Sequence, residues 1–437
     1  MSRFNRRQFT GAAAATIAAG AWSGVVRAAT SESPGEKLRI AFIGTQNQAG
    51  FSIDNCRKQE IVALCDVDAA NLERRGAEFP KAARYQDFRK LLETEAPRID
   101  AVVVATPDHI HAPAAAMALR LGKHVYCEKP LTHTVAEARL LATLAKEKNL
   151  ATQMGTQIHA SENYRRVVEL VRGGAIGPVK ETHVWCGKGW SDGRFDSGHA
   201  APKNLDWDLW LGPAKERPFS SNIHPANWRR FWEYGTGTLG DMGCHVLDLA
   251  FWALDLRHPT SVAAEGPPVH ADGAPAWVAV NWEFPARGDM PPVTLTWHDG
   301  AKRPPRLAKI KADGGPDLAK WGLGVAFVGE KGTLVADYGR RLLLPEDKYK
   351  DFKPPAKSIA ASAGHHEEWF RACRSGSPTT CNFGYSGALS ETVLLGTVAF
   401  RAGKRLEWDA AALKATNCPA ADAIINKEYR RGWSPFV

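Results

Sequence analysis

From Leu38 to about Gln153 the chain alternates short apolar runs, rich in β-branched residues, with stretches of helical period. "LRIAFIG", "IVALCD", "DAVVVATP", "HVYCEKP" and "LATQMG" are compact and bounded by turn residues, and between them lie the amphipathic segments "APAAAMALRLG" and "TVAEARLLATLAKEKN". Strand and helix in strict alternation predict an α/β domain built on a doubly wound parallel sheet, which binds its ligands at the carboxyl ends of the strands. A helix is predicted over about 162–172, and beyond it the texture changes. "PVKETHVWC", "PTSVAAEG", "WVAVNWEF", "PVTLTWHDG", "GVAFVGEKGTLVADY" and "RRLLLPE" are strand-like segments joined by turns, which predicts an α+β second domain with a mostly antiparallel sheet. Two helices interrupt that sheet, one starting near Asp241 and one near His365, and the stretch 385–437 reads as helical and then irregular. "KRPPRLAKIKADGGPD", from Lys302 to Asp317, reads as a loop.

The first residues follow neither pattern. "NRRQFTGAAAATIAAG" pairs Arg6 with Arg7 ahead of Phe9 and a Gly/Ala-rich run that is too short and too poor in large side chains to span a bilayer. With the small-residue site Val26-Arg27-Ala28, this is the pattern of a twin-arginine export signal over residues 1–30. The expected organisation is that leader, a nucleotide-binding domain over 36–155 and a second domain over 156–437, with a periplasmic or otherwise extracytoplasmic destination. Losing the four basic residues of the leader lowers the formal net charge from +9 to +5. That mild excess, with no basic stripe interleaved with aromatics, argues against a nucleic-acid partner. No later segment is an integral membrane candidate.

Eight cysteines are scattered without a C-x-x-C pair or metal-ligand spacing, so no metal is expected. Cys65 and Cys127 fall in apolar runs and read as buried, inert thiols, while Cys373, Cys381 and Cys418 are left open as disulfide partners.

Gly44 ends the first strand and Asp66 the second. A Rossmann fold needs this pair: a tight turn brings the pyrophosphate to a helix N-terminus, and a carboxylate about 20 residues on accepts from the adenosine ribose. Asp66 therefore favours NAD over NADP, although the same residue would serve as a strand-end cap. In "GTQNQAG" the second and third glycines of the usual fingerprint are Gln46 and Ala49, so the phosphate turn, with Asn47, must be wider or use side chains.

"ATPDHIH" and "CEKPL" end two further strands. With "DWDLWLGP", "GTGTLGDMGCHVLDLAFWAL", "HHEEWFRAC" and "LEWD", they resemble the Gfo/Idh/MocA family, in particular an exported branch of it. The resemblance implies a fold of a Rossmann domain and an α+β domain, an NAD(P)-dependent oxidoreductase acting on CH–OH groups, and homo-oligomerisation through the second sheet. It makes Lys129, Asp241 and His245 the catalytic residues. It also sets Thr106, Pro107, His109 and His111 at the nicotinamide ribose, with Glu128, Lys129 and Gln157 as further cofactor-side positions. Four residues apart on a helix, Asp241 and His245 share a face, so they can converge on one hydroxyl; as a helix cap and a core histidine they would need no chemistry. Of six tryptophans between 185 and 232, Trp228 with Arg229 is singled out beside His245 for a sugar or cyclitol substrate, the others serving equally well as packing.

A nicotinamide cofactor used outside the cytoplasm is expected to be carried bound and recycled within each turnover. That fits an oxidoreductase acting on a secondary hydroxyl. Lys129, Asp241 and His245 match that reading best; the alternatives are an NAD-dependent glycoside hydrolase working through a transient keto-sugar and, given Gln46, a sugar-binding protein without turnover.

Overall fold

The computed structural model describes residues 36–437, and the expected export signal lies outside the described residues. Six parallel strands, β1 (Arg39–Ile43), β2 (Glu60–Cys65), β3 (Ala83–Tyr85), β4 (Ala101–Val104), β5 (His124–Glu128) and β6 (Thr152–Gly155), form a sheet in the order β3-β2-β1-β4-β5-β6. The sequence runs reveal every strand but β3, whose three residues Ala83-Arg84-Tyr85 form a half-exposed edge without an apolar run. Alternate residues of these strands face two cores, as a sheet covered on both sides requires. Ile43, Val102, Val104 and Cys127 point to one. Phe42, Leu64, Val103 and Tyr126 point to the other, which Trp369 and Phe370 of the helix His365–Ser375 close from the distant half of the chain.

The second sheet has nine strands: β7 (Val179–Cys186), β8 (Ser261–Glu265), β9 (Ala279–Phe284), β10 (Val293–Asp299), β11 (Leu323–Gly329), β12 (Thr333–Ala336), β13 (Arg341–Leu344), β14 (Leu406–Asp409) and β15 (Lys414–Ala415). Their order is β13-β12-β11-β7-β10-β9-β8-β14-β15, antiparallel except where β10 runs parallel to β7. Two local expectations are corrected. The segment expected as a loop carries a helix, Pro305–Ala312, whose Leu307 and Ile310 pack beneath Trp185. The stretch expected to be irregular contributes β14 and β15, because Leu406 and Trp408 alternate inward.

The helix Phe383–Ala402 is buried almost all round and ties the two sheets together. A side chain at Gly387 would lie 3.1 Å from Ala142 Cβ on the helix Val135–Glu147 of the parallel-sheet half, and one at Gly396 would lie 2.9 Å from the Trp282 ring of the second sheet. The chain finally returns to the parallel sheet, where Trp433 packs edge-on to Phe88 at 5.9 Å and Arg89 lies 3.9 Å over the Trp433 ring. No helix of the described residues is long and apolar enough to cross a membrane.

All eight cysteines are free, so the pairing left open for Cys373, Cys381 and Cys418 does not form. Burial pushes the Cys65 and Cys127 thiols well above their ordinary range, which leaves them poor nucleophiles.

Candidate active site

The parallel register brings the carboxyl ends of β1, β2, β4 and β5 side by side, Ile43 facing both Cys65 and Val104, and Val104 facing Cys127. A crevice opens along that edge. Gly44, Gln46, Asn47, Asp66, Thr106 and Pro107 line it, with Glu128 and Lys129 at its far end and Trp228 and Arg229 on the facing wall. Gly44 is held at φ 97°, and a Cβ there would sit 2.4 Å from the Ala105 carbonyl oxygen, so only glycine fits the turn. With no glycine at the second fingerprint position, the left-handed conformation falls instead on Asn47, at φ 53°, immediately before the helix Gln48–Asn55.

Asp66 holds this turn closed. Its Oδ2 accepts from the Thr45 amide at 3.0 Å and hydroxyl at 2.7 Å, and its Oδ1 accepts from the Asp68 amide at 3.0 Å. Burial raises the carboxyl, and these bonds only partly offset it. One lone pair on Oδ1 is left for a ribose hydroxyl, so the strand-end lock and the ribose acceptor are the same group. The Thr106 hydroxyl, buried in the crevice wall, has no partner among the described residues. A glycine-only turn, a strand-end carboxylate and an unpaired hydroxyl on one cleft fit a dinucleotide.

At the far end the helix Gly237–Ala253 begins four residues earlier than expected, so Asp241 is not its cap but lies in its second turn. Lys129 Nζ donates to Asp241 Oδ1 at 2.7 Å and to the Asp241 carbonyl at 2.9 Å; Arg229 Nε donates to the same Oδ1 at 3.2 Å, and Trp190 Nε1 to Oδ2 at 2.8 Å. Burial alone would raise the Asp241 carboxyl, but the Lys129 and Arg229 charges outweigh it and hold the group far below the usual carboxylate range. Arg229 also lies 4.2 Å over the Trp228 ring.

His245 follows one turn on. It is half-buried, outside the crevice lining, and its ring has no hydrogen-bond partner among the described residues. Desolvation and the positive charge of Lys129 push its pKa down to about 3, so the imidazole is neutral near pH 7.

His109 and His111 do not meet the crevice, and the expectation that they contact the nicotinamide ribose is corrected. Both are fully buried in the helix Asp108–Arg120. His109 Nε2 bonds the Trp210 carbonyl at 2.9 Å. His111 stands between the Pro130 carbonyl, 2.7 Å from Nδ1, and the Thr106 carbonyl, 2.8 Å from Nε2, and so braces the two strand-end loops from behind. Gln157 is likewise one layer back, donating from Nε2 to Glu128 Oε1 at 3.1 Å and to the Tyr126 hydroxyl at 3.0 Å.

Two residues of the site were not singled out from the sequence. Asp108 lines the crevice inside the quoted "ATPDHIH", directly after the strand-end Thr-Pro, and that position was the available signal. Burial pushes its carboxyl up to about 7 despite the nearby charges of Arg229 and Lys129. Trp190 is 51 positions from the carboxylate it bonds, and no local pattern marks it.

Residues 38–156 match the oxidoreductase family model described as an NAD-binding Rossmann fold, GFO_IDH_MocA, and residues 179–290 match the C-terminal alpha/beta domain of the same family. A levoglucosan dehydrogenase of Pseudarthrobacter phenanthrenivorans is 28% identical over 165 residues, 38% of this chain and 35% of that protein. A glycosyl hydrolase family 109 protein of Saccharopolyspora erythraea is 30% identical over 220 residues, 47% of this chain and 42% of that protein. The chain thus spans about half or less of the length of these curated relatives. Among solved structures, GenD2 from gentamicin A biosynthesis, in complex with NAD, superposes with a TM-score of 0.57 at 21% identity, over 86% of this chain and 97% of that one.

Proposed function

We propose, from the premise that this chain belongs to the Gfo/Idh/MocA family of oxidoreductases, that it oxidises a secondary hydroxyl of a sugar or cyclitol with NAD. The observation that carries the reading is the hydrogen-bond count at Lys129. An ammonium has three donors, and Asp241 takes two of them, one through its carboxylate and one through its carbonyl. The third is left for a substrate oxygen, and the doubly anchored lysine holds it in a fixed direction.

Bound NAD supplies the acceptor for the hydride that leaves carbon. As negative charge grows on the substrate oxygen, Lys129 Nζ stabilises it by a charge-assisted hydrogen bond. The hydroxyl proton passes to the unprotonated ring nitrogen of His245, which burial, with the neighbouring ammonium, keeps neutral in the resting state. Asp241 acts through Lys129, and Trp190 and Arg229 keep the carboxylate from turning away. Trp228, buried beneath Arg229 in the crevice wall, shapes that wall for the ring of the substrate.

The test is direct. Lys129→Met and His245→Asn are each expected to lower sugar-dependent change in nicotinamide absorbance by at least about 10³-fold, while acid extraction recovers the same NAD per chain as from the parent enzyme. Unchanged turnover in either variant refutes the assignment.

The relative named as a glycosyl hydrolase supports a second reading, in which oxidation is transient and a glycosidic bond is cleaved. Release of an aglycone from a nitrophenyl glycoside with no net change in nicotinamide would establish it, whereas a stoichiometric keto-sugar supports the dehydrogenase. The proposal also includes export by the twin-arginine route with the cofactor bound and recycled, and self-association through the second sheet. NAD in protein recovered from the periplasm, and its mass in solution, check these two parts.

A further inference from the structure

The ends of β7 and β11 and the turn at 337–340 frame a hollow of about 700 Å3. Its lining carries three cations, Lys188, Arg303 and Arg340, and one carboxylate, Asp337. Asp337 is already engaged, its Oδ2 accepting from Arg340 Nε at 2.7 Å and its Oδ1 from the Arg340 and Gly339 amides. Lys188 is exposed, and its ammonium makes no ion pair or hydrogen bond among the described residues. Arg303 donates only to the Gly300 and Lys302 carbonyls, and its buried Nε has no partner. A side chain at Gly187 would lie 3.1 Å from Arg303 Nη2, so the missing side chain gives the guanidinium its room. The one carboxylate of the lining is taken by Arg340, so an anion entering the hollow would meet the uncompensated charges of Lys188 and Arg303.

The hollow adjoins the reacting groups through covalent and packed connections. Four residues after Cys186, the end of the strand that forms its floor, comes Trp190, which bonds Asp241. Tyr338, in its wall, packs edge-on to Tyr164 at 6.2 Å, and the Tyr164 hydroxyl donates to the His245 carbonyl at 3.1 Å. Lys188 is also near enough to His245 to help lower its pKa.

We infer that this hollow is the subsite for an anionic group, a carboxylate or a phosphate, borne by the sugar whose hydroxyl meets Lys129. This rests on the oxidoreductase reading for where the sugar ring lies, and on Lys188 and Arg303 for the charge it must carry.

Calorimetric titration of the NAD-loaded, full-length enzyme with D-glucose, D-glucuronate and D-glucose 6-phosphate tests it, because the three differ chiefly at one carbon. The expected result is at least tenfold tighter binding of an anionic sugar than of glucose; tight binding of glucuronate alone identifies a carboxylate, and of the phosphate alone a phosphoryl group. Lys188→Ala and Arg303→Ala should each shrink that preference to less than threefold, with NAD content and thermal midpoint unchanged. Equal binding of all three, binding of none, or a preference that survives both substitutions overturns the subsite. Failure of the oxidoreductase reading would look different: the anionic sugar binds, Lys188→Ala weakens it, and nicotinamide absorbance never changes.

Discussion

Asp108 shows how much a single buried group can shift the behaviour of the site. Its carboxyl ordinarily titrates near 4 and is pushed up to about 7 by burial in the crevice wall, so the folded protein retains a proton there that the unfolded chain has lost. Its contribution to stability is therefore fully present below pH 4 and is lost as pH rises through 7. Asp108→Asn, which keeps the shape and cannot ionise, should gain on the parent protein by up to ~1.4 kcal/mol per pH unit between pH 4 and 7, and no further above. Thermal midpoints of the two proteins measured in parallel from pH 4.5 to 8.5 give the difference; a gap that stays constant refutes the raised pKa. At His111, burial pulls the imidazole down to about 4, so near pH 7 it carries one N–H between two carbonyls and satisfies only one. That residue was legible as part of a strand-end motif, but its direction was not, because a helix beginning at Asp108 turns both histidines inward.

The elements were legible where burial leaves a pattern. Strands β1, β2, β4 and β5 announce themselves because both faces are covered and their central side chains are apolar, whereas β3 has no such run. The helix Gly237–Ala253 was expected to start at Asp241 because three glycines precede it. Two of them lie within the helix, and a side chain at Gly240 would collide with the Thr236 hydroxyl, so close packing accounts for that glycine rather than a turn. What no local pattern carries is the partner of each face, such as Trp369 supplied to the parallel sheet from more than 200 residues away. Trp369 is fully buried, stacked edge-on to Tyr126 at 5.6 Å, and lies far from Lys129 in sequence and role. Trp369→Ala should cost ~3–5 kcal/mol, read as a lower urea midpoint with unchanged slope. A loss below ~1 kcal/mol would mean that this helix contributes little to the sheet.

For the molecule as a whole, one continuous core runs from Ile43 of the first sheet through Leu389 and Val393 to Trp282 and Trp297 of the second. The two halves share that helix as a common wall, so calorimetry should show a single unfolding peak for residues 37–437, not one per sheet. Two resolved transitions would contradict it. The return of Trp433 to Phe88 and Arg89 bears on how such a gene can diversify. Recombination that swapped only the nucleotide-binding segment for that of a relative would deliver a sheet whose covering side chains are encoded at the opposite end of the reading frame, and the hybrid would begin life with that flank bare.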